Sequence, residues 1–188
     1  VTGYSKFGSY SGTDSSGVSV TTGFRPAFVM IKATNLTENW VIIDNTRNPN
    51  NPANSYLNPN LNSAEASSSA FNINFTDTGF TLNGTDDAIN GYNGGTGNYI
   101  YMAFAGGEDT RSTYNSDGDI DSRVKASTTY GQSIVSWVGT GSGSSPTVGH
   151  GLSGAPEFFV VRHRNAAGAW PAQHKYDTTK YFQMQDVD

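Results

Sequence analysis

The chain has 188 residues, no cysteine and a formal net charge of −5. Without cysteine there is no disulfide framework and no thiolate zinc site, and eleven Lys and Arg spread thinly along the chain exclude the clustered basic face that nucleic-acid binding needs. Turn formers run throughout beside 10 Tyr and 10 Phe, a mixture that indicates an all-β protein with many loops and enough apolar side chains for a core.

No apolar run is long enough to cross a bilayer as a helix, and no signal peptide is visible. The chain begins with Val1, not Met, and reads as a fragment. In chain order, Tyr4–Tyr10 alternates loosely, and Ser11–Gly17 is a turn-rich loop. Val18 and Val20 lead to Thr22-Gly23-Phe24, and Phe28–Lys32 reads as a buried strand followed by Trp40–Asp44. Asn45–Ser69 carries Pro49, Pro52 and Pro59, too many for a central strand or a stable helix. It is expected to be an extended surface excursion with at most a short strand near Tyr56-Leu57.

Phe71, Ile73 and Phe75 alternate with Asn72 and Asn74, the pattern of a strand buried on one face. Thr78-Gly79 turns the chain into Phe80–Leu82, and a glycine-rich bend at Asn93–Gly97 precedes Tyr99–Phe104, the strongest strand pattern of all. Asp117-Gly118-Asp119 suggests a tight turn, with a short strand at Ile120–Val124. No segment keeps a 3.6-residue apolar period, so helix content should be low.

From Ser133 onward the pattern begins again. Ser136-Trp137-Val138-Gly139-Thr140 answers Ser9–Thr13, Gly151 answers Gly23, and Pro156–Arg162 answers Pro26–Lys32. The offset is 127 at Gly12/Gly139 and 130 at both Pro26/Pro156 and Trp40/Trp170. A period this long marks a repeated domain, not the short rung of a solenoid. The expected organisation is a complete module at 1–106, a connector at 107–130 and a partial second module at 131–188. That second copy lacks counterparts of Phe71–Phe75, Phe80–Leu82 and Tyr99–Phe104, which leaves a strand edge and an apolar face uncovered. Either more chain follows, or another subunit supplies the missing strands.

These residues resemble a repeated β-sandwich module of tail-fibre-like virion proteins from bacteriophages of marine bacteria and cyanobacteria. Ser133–Gly139, Thr147–Leu152 and Ala155–Arg162 carry the likeness in the second copy, with Gly23-Phe24, Pro26–Lys32, Gly79-Phe80 and Tyr99–Phe104 in the first. Asn115–Gly118 fits as well, whereas the Asn/Pro excursion departs from the pattern. The resemblance implies an antiparallel concanavalin-like or jelly-roll sandwich. It also implies a non-enzymatic building block of a virion or other extracellular viral appendage. Other virion proteins and further copies of the chain, as a homotrimer, are the partners it implies; the residues themselves point to no membrane insertion and no cofactor.

Candidate chemistry is sparse. Asp117, Asp119 and Asp121 have the spacing that opens a calcium loop, but Ser122 and Thr128 stand where such a loop needs Gly and an acidic residue. A solvated acidic turn is expected instead. Gly139–Ser145 has the glycines of a phosphate loop without its Lys-Ser/Thr pair and reads as a hairpin loop. His150, His163 and His174 occur only in the second copy and lack zinc-pair spacing. Glu38, Glu65, Glu108 and Glu157 show no partner carboxylate of the kind glycoside cleavage requires. The alternative function is attachment to host surface glycans, because aromatic faces stack on sugar rings. Trp40, Tyr56, Tyr92 and Trp170 are the candidate platform residues. Against this, a tryptophan recurring at the repeat offset is also what a core anchor would do.

Overall fold

The computed structural model describes residues 1–91, 96–106, 112–141 and 145–184. In the first module the chain runs through β1 (Ser5–Ser11), β2 (Val18–Thr21), β3 (Phe28–Ala33), β4 (Val41–Asp44), β5 (Ser55–Tyr56), β6 (Ala66–Ser67), β7 (Ile73–Thr76), β8 (Gly79–Leu82) and β9 (Asn98–Phe104). Among the described residues the one helical element is a single 3-10 turn, Ser69–Phe71. The protein is all-β, as the turn-rich sequence predicts.

Two antiparallel sheets face each other. One has the order β1-β9-β3-β4, the other β2-β8-β7. Period-2 alternation decides which side chains meet between them. Val29, Ile31 and Ala33 of β3 and Tyr99, Tyr101 and Ala103 of β9 point inward. Opposite lie Ile73, Phe75, Phe80 and Leu82. Phe80 meets the Tyr101 ring edge-on at 5.5 Å, the geometry that an aromatic quadrupole favours. The last strand of the module, β9, is also its spine: it pairs with β1 from Ser5↔Phe104 to Ser11↔Asn98, and with β3 from Phe28↔Phe104 to Ala33↔Tyr99.

The second copy contributes β10 (Thr113–Asn115), β11 (Ser122–Ser127), β12 (Gln132–Trp137), β13 (Phe158–Val160), β14 (Pro171–His174) and β15 (Asp177–Gln183). They form two antiparallel sheets, β10-β11-β12 and β13-β14-β15. The strands fall at the repeat offsets, with β12 127 residues after β1 and β13 and β14 130 after β3 and β4. Gly23 and Gly151 recur for a backbone reason: both have positive φ, +88° and +70°, a conformation that favours glycine. The stretch read as a connector holds β10 and β11, and β11 pairs with β12 from Ser122↔Trp137 to Ser127↔Gln132.

The Asn/Pro excursion carries the short strand expected near Tyr56-Leu57, as β5, and much of it is exposed, but part of it is buried rather than at the surface. Asn45, Thr46, Asn48, Ala53 and Leu57 are buried. Ala53 bridges to Ile73, and the Asn51 side chain both accepts from the Phe75 amide (2.8 Å) and donates to its carbonyl (3.1 Å). A prolyl segment cannot supply a full ladder of N–H groups, so asparagine side chains complete the pairing. Leu57 pairs with Ile42 on the outer side of β4. The excursion thereby runs along one side of the sandwich, bonded to the edge strand of each sheet, with the Leu57 side chain packed beside Ile42.

Candidate functional site

The outer face of β3 and β4 presents Phe28, Met30 and Ile42, the residues that alternate with the inward-facing ones. Its equivalent in the second copy presents Val160 and Ala172. The two outer faces meet. Ile42, Leu57 and Trp170 form a second core, with Phe28, Met30 and Val160 packed around it. The repeats are therefore joined back to back through corresponding strands, with the excursion as part of the seam.

Polar groups close the seam on one side. Arg47 donates through Nε to Asp44 and through Nη1 to Glu65, and Nη2 reaches the Ile42 carbonyl at 3.1 Å. Glu65 also accepts from Arg164 through Nη2 at 2.6 Å and Nε at 3.1 Å. Two carboxylates and two guanidiniums thus make a neutral set. Desolvation opposes the Arg47 charge, but Asp44 and Glu65 more than offset it and hold the guanidinium pKa above its ordinary value. Backbone bonds run alongside: the Glu65 amide donates to the Arg164 carbonyl (2.8 Å) and the Gly168 amide to that of Asn62 (2.9 Å). Arg162 donates to the Asn62 carbonyl at 2.8 Å and to that of Ser63.

Trp170 is the apolar centre of this joint. It is 5% exposed, its indole N–H donates to the Leu61 carbonyl at 2.9 Å, and the Arg162 guanidinium lies 5.5 Å from its ring centre. A platform for sugars needs an open ring face, so Trp170 is removed from the glycan candidates. Its burial serves the seam between modules, not the interior of its own module. Trp40, at the matching repeat position, is half-buried, and its backbone is held by Asn60 (3.0 Å) and Asn58 (2.8 Å). Tyr56 is half-buried and stacks on Phe71 with ring centres 3.8 Å apart. Tyr92 lies outside the described residues.

The Asp117–Asp121 turn is also accounted for. The Asp119 carboxylate accepts from the Thr147 amide (2.9 Å) and hydroxyl (2.8 Å), and those bonds hold its pKa below the usual range. It ties the two loops together as an acceptor. At the other end of the first module, burial and then the charges of Asp86 and Asp87 raise the Glu38 pKa. Arg47, Glu65 and Arg164 carried no functional signal when read singly. The available clue was that Arg162-His163-Arg164 is the one local basic cluster and Glu65 the one glutamate of the excursion.

Fold and joint together define a tandem all-β protein in which two copies of one module are fastened by a buried seam. Residues 1–109 and again 107–188 match the family described as Domain of unknown function (DUF7483), and the chain belongs to that family. Comparison with curated proteins and with solved structures returned no match.

Proposed function

We propose that the chain is a non-enzymatic structural subunit of a viral appendage, a tail fibre or other virion surface part, that works by assembly. The observation that carries this reading is the seam. A neutral, partly buried ion set and a tryptophan-centred core fix one repeat against the next, as a fibre segment requires of neighbouring modules. Exposed aromatic residues on the second module, among them Phe158, Phe159, Tyr181 and Phe182, add surface suited to contact with other subunits. The placement in a phage particle rests on the sequence resemblance.

Sedimentation of the purified chain over a hundredfold range of concentration tests assembly, with trimers as the expected product. A strictly monomeric chain that also fails to co-sediment with phage particles carrying this module overturns the reading. Glycan attachment through Trp40 and Tyr56 is the alternative, and a glycan array probed with the chain and with Trp40→Ala separates the two.

A further inference from the structure

From Leu61 to Glu65 the excursion runs without regular structure, and Asn62 and Ser63 are exposed. Among the described residues, every main-chain hydrogen bond of Asn62–Glu65 goes to the second repeat. The Asn62 carbonyl accepts from the Gly168 amide and from Arg162 Nη2, the Ser63 carbonyl accepts from the same Nη2, and the Glu65 amide donates to the Arg164 carbonyl. The carbonyl just before them, of Leu61, takes the Trp170 indole N–H. Arg164 then holds the Glu65 carboxylate as a fork, through Nη2 at 2.6 Å and through Nε at 3.1 Å and 3.2 Å. A strap gripped in this way is held as a bound peptide is, by main-chain groups along its length and by one charged side chain at its end.

The loop at the matching place in the first repeat is built differently. Lys32 and Thr34 stand where the second repeat has Arg162 and Arg164. Lys32 Nζ caps its own loop at the Glu38 carbonyl (2.7 Å), and Arg162 Nη1 makes the equivalent bond to the Gly168 carbonyl (2.6 Å). Lysine ends in one nitrogen, committed to that cap, whereas the arginine fork keeps Nη2 for the strap. Thr34 donates to the Asn98 carbonyl (3.0 Å) and has no charge to offer a carboxylate. We propose that the Arg162–Trp170 loop is a binding site for a linear acidic segment, and that in this chain the excursion fills it as a tethered ligand. The segment it takes offers successive free carbonyls, as Asn62 and Ser63 do, and a carboxylate two residues further on, as Glu65 does. Because Asn62 and Ser63 are read through their carbonyls, the requirement falls on main-chain geometry and on the acid. The site stands independently of any viral assembly, since each of these contacts lies within this chain.

A tethered ligand competes at millimolar effective concentration, so the site is probed first in a chain whose strap is weakened. A fluorescent peptide of residues 59–67 is titrated into the Glu65→Gln chain and into the native chain, with anisotropy as the readout. The Glu65→Gln chain should bind it about tenfold more tightly than the native chain, the worth of one charge-assisted bond. A peptide carrying the same Glu65→Gln change should bind that chain about tenfold less well. Adding Arg162→Lys should cost a similar factor and leave the far-UV spectrum unchanged, because a lysine makes the equivalent loop cap at Lys32. Should Glu65→Gln fail to fold, the native chain still decides. There, peptide at about 5 mM should speed exchange of the Glu65 amide severalfold by displacing the strap, and the altered peptide should not. No binding by a folded Glu65→Gln chain, equal binding of the two peptides, or unchanged binding after Arg162→Lys overturns the proposal. So does a Glu65 amide in the native chain that exchanges at the same rate with either peptide as with none.

Discussion

Arg164 reaches 99 positions back along the chain to hold Glu65 with two of its nitrogens, Nη2 at 2.6 Å and Nε at 3.1 Å. That one contact joins a residue of the second repeat to the middle of the first repeat's excursion. Because Glu65 also takes Nη1 of Arg47, its carboxylate is the shared anion of two cations.

Glu65→Ala should therefore do more than remove one pair. The Arg47 side chain is 8% exposed and would keep only Asp44 as its counter-charge. Stranding a buried cation costs about 3–5 kcal/mol, and the lower end is expected because Arg164 can turn toward solvent. Urea unfolding of the substituted chain measures this, with loss of the seam reported by faster amide exchange in β13 and β14. An effect under about 1 kcal/mol, the range of exposed pairs, would show that the network is solvated.

Trp170→Ala should open a cavity between the outer faces of the two repeats and leave the Leu61 carbonyl without its donor. A loss of about 3–5 kcal/mol is the ordinary result for a buried aromatic. The distinguishing expectation is location: amide exchange should quicken in β13, β14 and Leu57–Leu61 while Ile73–Leu82 stays protected. Uniform weakening of the first module would contradict the seam.

Alkaline pH should weaken the first module. Tyr99 donates its hydroxyl to the Asp87 (2.8 Å) and Gly91 (2.6 Å) carbonyls, and Tyr10 donates to that of Ile89 (2.5 Å). Burial, and then neighbouring charges, raise both phenol pKa values above the usual 10.0. In the unfolded chain these phenols ionise near that ordinary value. The stability they contribute is thus complete below about pH 10 and is lost as pH rises toward their folded values. Denaturant melts from pH 7 to pH 11 should show a steep decline above pH 10. Tyr99→Phe should flatten it while lowering stability at pH 7 by about 1–3 kcal/mol, since two carbonyls lose their donor.

Gly79→Ala tests the packing between β2 and β8. A Cβ at Gly79 would fall on the Val20 carbonyl oxygen, a backbone atom that cannot swing aside. Strand separation should cost about 1–3 kcal/mol, read as a lower melting temperature. Gly17→Ala, where open space surrounds the position but φ is +99°, isolates backbone strain from crowding.

Much of this architecture is legible in the chain itself, because its causes are local. Alternation of apolar and polar residues defines Ile73–Thr76, and runs of aromatic and β-branched or apolar residues define Asn98–Phe104 and Phe158–Val160. The spacing of Gly23/Gly151 and Trp40/Trp170 announces a repeated module, and at Gly23 and Gly151 the reason is a φ sign that each glycine satisfies by itself. The role of Trp170 is another matter. Its recurrence with Trp40 identifies the position, but one ring is nearly sealed in a seam and the other is half-open, since only tertiary contact distinguishes the two environments. The excursion is the clearest instance: a short strand near Tyr56 is legible, but its prolines forbid a regular ladder, and the pairing of the Asn51 side chain with Phe75 is encoded by no local pattern. Likewise Glu65, Arg47 and Arg164 are ordinary surface residues until the fold excludes water around them. Periodicity and turn chemistry act between near neighbours and so can be read in order; burial is a property of what arrives from elsewhere, and here that means the second repeat folding its back onto the first.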